Sequence, residues 1–293
     1  MTDTCVTLLN PVDEKRCRTL AKLDLTAKAQ WPEMLLLGAF ARDLLFWHMH
    51  GIESHRETMD VDIVVQMKDL DAYNRFRSSL MEKGFTDKDV DFPGLRDTET
   101  NVEVDLLPFG EIAKDGVITD WPEIDDSWSV VGMQEAYDHA WRLEISVNGN
   151  THMFRFVSVP GLVLLKIVAV FDRPKRRYQR DTYDIGFVIK EYLNIGNKIR
   201  LLNPPHDDIL DKVDSDLDRA TACLLGREIS SMVSESTKRY VVDLLAKEVK
   251  SQSYCLFTQG LQDSLCRGSF PRARIIVGDI LDGLKWGRQG QIV

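Results

Sequence analysis

Two aspartates, Asp60 and Asp62, stand two residues apart inside the mainly apolar run 58–65, which predicts a β-strand. Side chains two residues apart on a strand point to the same face, so both carboxylates are expected on one face of a sheet. Burying two acids side by side costs free energy through desolvation and repulsion, and a divalent cation commonly relieves that cost. Hard oxygen ligands suit Mg²⁺ or Mn²⁺ bound to substrate phosphates. The pair therefore predicts metal-assisted phosphoryl or nucleotidyl transfer.

A second feature is the junction at Gly38, where the run 34–37 predicts a short buried strand and the following residues predict a helix. Such a junction places backbone N–H groups and the positive end of a helix dipole at the exit of the strand, which favours phosphate binding. Arg42 would lie one turn into that helix. It would then be within reach of a phosphate or, equally, of an ion pair with Asp43 or Glu57.

A third acid is available in the run 101–108, where apolar and acidic residues alternate and predict another strand. If this strand lies beside the first, Asp105 faces Asp60 and Asp62, and Glu103 is the alternative on the same face. Three carboxylates on neighbouring strands can hold two metal ions. One ion activates a hydroxyl nucleophile, and the other stabilises the leaving pyrophosphate.

The order of these features resembles the polymerase-beta-like nucleotidyltransferase superfamily. Its pattern is a glycine followed by a small residue, then two acids on one strand, then a third acid on a later strand, here Gly38-Ala39, Asp60-x-Asp62 and Asp105. The resemblance implies an α/β (α+β) fold with a small mixed sheet flanked by helices, followed by a C-terminal helical region. It also implies that Ala39 belongs to the nucleotide-binding turn. The superfamily usually has Ser or Gly there, so a hydroxyl contact to phosphate is missing.

A later segment narrows the resemblance to bacterial predicted nucleotidyltransferases related to the AbiEii-type toxins of abortive-infection (phage-defence) and toxin–antitoxin systems. An apolar helix opened by Pro160-Gly161 carries Lys166, and Arg173 and an Arg-Asp-x-x-Asp pattern follow it, with Asp181 and Asp184 as its acids. The whole resemblance covers roughly residues 30–195.

The resemblance implies that Lys166 contacts the triphosphate and that Arg173, Asp181 and Asp184 belong to the nucleotide site. Other interpretations stay open from the residues alone. Lys166 would also suit a lysine that extends its ammonium to water from an apolar helix. A helix cap and an ion pair with Arg173 or Arg180 would account for the two aspartates equally well.

Charge is distributed unevenly along the chain, whose formal net charge is −9. The segment 85–126 holds thirteen acids and three bases, which is typical of a solvated acidic loop and would also suit a cationic substrate. The segment 173–180 holds five bases in eight residues. It indicates either a solvated loop or a patch that binds triphosphate or RNA, with Tyr178 able to stack on a base.

The composition is that of an ordinary globular protein, because 44% of the residues are apolar and 28% are charged. The first residues are polar and acidic, which argues against a secretory signal, and no apolar run is long enough to predict a membrane span. Five cysteines are scattered without paired spacing, which fits a reducing compartment. We therefore expect a cytoplasmic protein.

The predicted elements alternate helix and strand in the first part of the chain and are helical in the last part. Helices are predicted at 11–28, 40–50, 69–82 and 181–193 and strands at 34–37, 60–66 and 102–107, with a hairpin formed by 142–147 and 153–157. Asn203-Pro204-Pro205 breaks the chain and predicts a domain boundary. The expected organisation is a catalytic domain at 1–200 and a helical region at 206–286.

These observations together predict a Mg²⁺- or Mn²⁺-dependent enzyme that moves a nucleoside monophosphate from an NTP to a hydroxyl acceptor. The resemblance implies tRNA or another RNA 3′ end as the acceptor and an antitoxin or defence-system protein as the partner. Two alternatives stay open. The acceptor is a small molecule or a protein, or the chain is a non-catalytic nucleotidyltransferase-like module that binds a partner.

Overall fold

A computed structural model describes most of the chain, namely residues 5–30, 33–54, 56, 58–88, 94–119, 128–172, 178–251 and 255–287. The chain divides into two compact units, Met1–Ser158 and Val159–Val293. This division falls well before Asn203-Pro204-Pro205, so the predicted catalytic domain 1–200 is shared between the two units. Each unit is described by itself below.

The first unit is built on a mixed sheet. Its strands are β1 (Cys5–Val6), β2 (Met34–Leu37), β3 (Asp60–Gln66), β4 (Phe85–Asp87), β5 (Gly94–Asp97), β6 (Glu103–Phe109), β9 (Trp141–Val147) and β10 (Asn150–Phe156), while β7 (Val117–Ile118) and β8 (Trp128–Ser129) form a separate pair. Among the described residues eight strands form one sheet in the order β1-β9-β10-β2-β3-β6-β5-β4. The strands predicted at 34–37 and 60–66 are confirmed with those bounds.

The helices of the first unit are α1 (Glu14–Gln30), α2 (Gly38–Asp43), α3 (Leu70–Glu82) and α4 (Met133–Asp138). A π-helical turn at Leu44–His48 continues α2, so the helix predicted at 40–50 begins two residues earlier, directly at the end of β2. The predicted hairpin is confirmed, but its loop is shorter than expected. Val147 pairs with Asn150, and Asn148 and Gly149 both have positive φ, which is the geometry of a two-residue turn.

The centre of the sheet is the parallel pair β3 and β6. Val61 and Ile63 alternate with the acids of β3 and are fully buried, as are Val104 and Leu106 on β6. The Tyr73 hydroxyl of α3 donates a hydrogen bond to the backbone oxygen of Leu106 at 2.8 Å. Burial of this apolar face fixes the register, because a slip by one residue would turn the acids into the core.

A fully buried aspartate fastens α1 to the β5–β6 turn. Asp97 accepts hydrogen bonds from the Thr19 hydroxyl at 2.9 Å and from the Lys22 ammonium at 2.8 Å. The backbone N–H of Glu99 donates to the same carboxylate at 3.0 Å. A buried carboxylate is tolerated only when it is paired and hydrogen-bonded in this way.

All the regular secondary structure described in the second unit is helical. Its helices are α5 (Val159–Asp172), α6 (Tyr178–Glu191), α7 (Ile209–Lys212), α8 (Leu217–Met232), α9 (Glu235–Lys250), α10 (Leu256–Ser264) and α11 (Phe270–Leu284), with short 3₁₀ helices at Tyr192–Ile195 and Asn197–Leu202. The helical character predicted beyond residue 205 is confirmed. No helix in the described part of the chain is both long enough and apolar enough to cross a membrane.

Two glycines let α8 and α11 pack with their backbones in contact. A methyl group added to Gly226 would lie 2.3 Å from the backbone oxygen of Ile280, and one added to Gly283 would lie 2.2 Å from that of Cys223. Both distances are far inside van der Waals contact with atoms that cannot rotate away. The two helices can therefore keep this spacing only if both positions lack a side chain.

Replacing Gly226 or Gly283 by alanine should lower the free energy of unfolding by about 1–3 kcal/mol, because the backbones must move apart. Gly278→Ala is the matched control on α11, since nothing lies within 4 Å of its added methyl group. It should be neutral or raise the free energy of unfolding by up to about 1 kcal/mol through helix propensity. Urea unfolding followed by circular dichroism measures the free energy of unfolding of the three variants. An equal loss of stability in all three would contradict the packing argument.

Candidate active site

The register of β3 against β6 brings four carboxylates to one face of the sheet. Asp60 pairs with Glu103, and Asp62 pairs with Asp105, on parallel strands. Paired residues on neighbouring strands share a face, and so do residues two apart on one strand. The structure thus places Asp105 directly opposite Asp62, with Glu103 on the same face, as the sequence predicted. We call these four residues the acid cluster.

The two acids of β6 differ in their electrostatic surroundings. The Lys88 ammonium lies 2.5 Å from Glu103 Oε2, and this contact, together with the Arg96 guanidinium at 2.8 Å, holds the pKa of Glu103 below its ordinary value. Burial raises the pKa of Asp105, and the Asp60 charge adds to that, although Lys88 at 3.4 Å partly offsets both. Carboxylates with a raised pKa in a polar cluster are common at functional sites.

Gly38 brings backbone against the acid cluster. β2 runs directly into α2 at this residue, whose φ is +71°. A methyl group added there would lie 1.8 Å from Asp62 Oδ2. Only glycine therefore permits both the left-handed conformation and the close approach to the carboxylate. The predicted junction of strand, glycine and helix is adjacent to the predicted acids.

The start of β3 is held by residues that the sequence analysis did not single out. The Thr58 hydroxyl donates a hydrogen bond to Asp60 Oδ1, and the Arg16 guanidinium donates to the backbone oxygen of Thr58. Arg16 also lies over the Phe40 ring, with 5.3 Å from its guanidinium carbon to the ring centre. The sequence could have indicated Thr58, because its hydroxyl stands two residues before an acid. Nothing in the sequence indicated Arg16, because it lies on α1, far from β3 along the chain.

A cavity of about 570 Å³ opens where the chain enters β3. Thr58 lines it and also donates to Asp60, but none of the four acids is among the residues that line it. Trp47 and Met59 supply an apolar part of the lining, and both side chains are exposed. A cavity of this size is large enough for part of a ligand.

Arg42, predicted to reach a phosphate, is fully buried. Its Nε and Nη2 atoms donate to Asp43 Oδ1 at 3.0 and 2.6 Å, and Nη2 also donates to the backbone oxygen of Arg56 at 2.8 Å. The ion pair with Asp43, which the sequence left open as the alternative, is therefore present. Ala39 is also buried. A phosphate contact by either residue stays a prediction.

Lys166, Asp181 and Asp184 meet within the second unit. The Lys166 ammonium lies 2.8 Å from Asp181 Oδ1 and 2.7 Å from Asp184 Oδ2, and all three side chains are buried. Lys166 therefore does not extend to water, and its role on a triphosphate stays a prediction. Arg173 lies outside the described residues, as does most of the basic run 173–180. The described site residues thus form two groups, one inside each unit.

The acid cluster suits a hard divalent cation in the chemistry of its donors, since it offers carboxylate oxygens beside a glycine that admits no side chain. The side chains are not arranged as a finished cage. Within the described residues, no group of three or more His, Cys, Asp or Glu side chains is placed so that it could hold a metal ion. The Lys88 ammonium already contacts two of the four acids, Glu103 and Asp105.

Comparison with protein-family models gives no match, and comparison with curated protein sequences gives none either.

Gly38→Ala should displace the Asp62 carboxylate, because the added methyl group would overlap it. A misplacement of about 1 Å in a reacting centre typically lowers the rate by about 100-fold. Gly149→Ala is the matched control, since Gly149 also has a positive φ of +77° but nothing lies within 4 Å of its added methyl group. Both variants should lose about 1 kcal/mol to backbone strain. Only Gly38→Ala should also lose the nucleotide transfer proposed below, and loss of transfer in both would contradict the argument.

Asp105→Asn should stabilise the protein at neutral pH and should not do so in acid. A carboxyl whose folded pKa lies above its ordinary value of 3.8 favours the protonated form in the fold, so its ionisation lowers stability as pH rises through the folded pKa. Asparagine avoids that loss, while Lys88 keeps Glu103 as its partner. Urea unfolding from about pH 3.5 to pH 8 measures the difference in free energy of unfolding between Asp105→Asn and the unchanged protein. A difference that stays constant or shrinks with rising pH would refute this account.

Proposed function

We propose that the protein is a metal-dependent nucleotidyltransferase that transfers a nucleoside monophosphate from an NTP to a hydroxyl acceptor. The observation that carries the proposal is the acid cluster with the Gly38 backbone pressed against Asp62. Two acids on one strand, a third on its parallel neighbour and a glycine turn beside them make up the pattern that resembles the polymerase-beta-like superfamily.

In this proposal Asp60 and Asp62 hold Mg²⁺ or Mn²⁺, which when bound would neutralise the phosphates of the NTP. The Gly38 turn brings the backbone directly against the Asp62 carboxylate. The acceptor hydroxyl oxygen bonds to the α-phosphorus, the bond between the α-phosphorus and the bridging oxygen breaks, and pyrophosphate leaves. Asp105 takes the proton of the hydroxyl, and the raised pKa of its buried carboxyl makes it a better base for that step.

The acceptor proposed first is an RNA 3′ end, such as that of tRNA, with the protein as the toxin of a two-gene defence or toxin–antitoxin system. Support comes from the resemblance around Lys166 and from the basic sequence 173–180. A small cationic molecule or a protein is the second candidate acceptor. The acids of the segment 85–126, which include Glu103 and Asp105 of the cluster, favour it because they would repel RNA.

A different class of function is a non-catalytic module that binds a partner. Two observations favour it. Ala39 replaces the usual Ser or Gly, and the Lys88 ammonium already contacts two acids of the cluster. Retention of Asp60, Asp62 and Asp105 favours the enzyme.

The test is transfer of label from each α-labelled NTP, with Mg²⁺ or Mn²⁺ and total RNA as the acceptor pool. Asp62→Asn should lower transfer by more than about 100-fold, because it removes a metal ligand without changing the volume of the side chain. Asp115→Asn is the matched control, since it makes the same charge change at an exposed turn. It should transfer as the unchanged protein does.

The destination of the label distinguishes the acceptors. Label on RNA supports the first proposal, label on the protein itself supports protein modification, and label on an added aminoglycoside supports a cationic small molecule. Transfer that survives Asp62→Asn would refute the assignment of the site. No transfer with any acceptor, together with no thermal shift from NTP plus metal, would support the non-catalytic module.

A further inference from the structure

Lys88 lies inside the acid cluster although it follows a strand two places away in the sheet. It comes directly after β4 (Phe85–Asp87), and its backbone N–H donates to the backbone oxygen of Gly94 at 3.0 Å. Its ammonium then reaches Glu103 Oε2 at 2.5 Å and Asp105 Oδ1 at 3.4 Å. The Lys88 side chain is 19% exposed and that of Glu103 is 32% exposed, so these contacts are partly shielded from water.

Gly94 makes room for this lysine. It pairs with Asp105 across β5 and β6, and a methyl group added to it would lie 2.7 Å from Lys88 Cδ and 3.1 Å from Asp105 Oδ1. Any larger residue at position 94 would therefore push the lysine and the aspartate apart. The contact between Lys88 and the cluster is thus supported by the sheet rather than being a chance surface encounter.

The charge of Lys88 is kept by its surroundings. Burial lowers the pKa of the ammonium, but the contacts with Glu103 and Asp105 outweigh burial and raise the pKa overall. Arg96 also pairs with Glu103, at 2.8 Å. The two acids of β6 therefore already have cationic partners supplied by the chain.

We propose that Lys88 takes the place of a second metal ion, so that the acid cluster binds a single divalent cation through Asp60 and Asp62. The Lys88 ammonium supplies the positive charge beside Asp105. A second divalent cation at Asp105 would lie beside the Lys88 ammonium, which is 3.4 Å from Asp105 Oδ1, and it would be repelled by that ammonium at short range. The inference uses the metal site of the proposed function, but it concerns stoichiometry of binding and requires no turnover.

Titration of the 293-residue protein with Mn²⁺, followed by electron paramagnetic resonance of the free ion, counts the bound ions without nucleotide. The unchanged protein should bind one Mn²⁺. Lys88→Met, which keeps most of the unbranched side chain and removes its charge, should bind two, or bind the first at least tenfold more tightly. Two neighbouring Mn²⁺ ions should also show spin–spin coupling, which a merely structural effect of the mutation would not produce.

Four further variants separate the charge of Lys88 from its shape and serve as controls. Lys88→Arg keeps the charge and should bind one ion. Lys88→Gln should behave like Lys88→Met, and it provides the test if the methionine variant does not fold by circular dichroism. Lys83→Met removes an exposed lysine of the same unit and should leave binding unchanged. Asp62→Asn should remove the single site of the unchanged protein.

Two ions bound by the unchanged protein would overturn the inference. So would unchanged stoichiometry and affinity in a folded Lys88→Met or Lys88→Gln variant, or the absence of Mn²⁺ binding in every variant. Failure of the proposed function gives a different result. If no label is ever transferred, but one bound Mn²⁺ becomes two when Lys88 is replaced, the proposed activity is wrong and the inference about Lys88 still holds.

Discussion

Carboxylates on adjacent parallel strands repel one another, and the neighbouring elements of the first unit supply groups that offset this repulsion. The apolar face of β3 and β6 must be buried, which fixes their register and leaves Asp60, Asp62, Glu103 and Asp105 together on the other face. The neighbouring elements supply partners for these acids. Thr58 donates to Asp60, Arg96 pairs with Glu103, and Lys88 contacts both acids of β6. Burial raises the pKa of Asp105 and the charge of Asp60 adds to that, so Lys88 offsets the cost of ionising this carboxyl only in part.

Much of this arrangement was predictable because it depends on local periodicity. The spacing of Asp60 and Asp62 places them on one face of any strand, and the alternation around Asp105 predicts a second acidic strand. Gly38 was predictable as a junction of strand and helix, although its contact with Asp62 was not, because the left-handed φ and the β2–β3 pairing decide it. The assignment of a function to these residues remains a proposal.

Lys88 could not be predicted from local pattern, because the β4–β5–β6 meander brings it to the cluster from fifteen or more residues away along the chain. The division into compact units at Ser158 also depends on contacts that are distant along the chain. Asn203-Pro204-Pro205 is a conspicuous break in the sequence, but α5 and α6 belong to the same compact unit as the later helices. The short hairpin loop was misjudged because Asn150 and Thr151 look like turn residues, yet they continue β10.

The two groups of predicted residues differ in a way that bears on function. Lys166, Asp181 and Asp184 are buried, and two carboxylates closely surround one ammonium. Breaking such a buried set typically costs about 3–5 kcal/mol, so stability alone is enough to account for its presence. The acid cluster is half-buried, and burial works against ionisation of Asp105. The fold gains no stability from that unfavourable ionisation. Stability therefore explains the Lys166 group but not the acid cluster, for which a functional requirement is the better explanation.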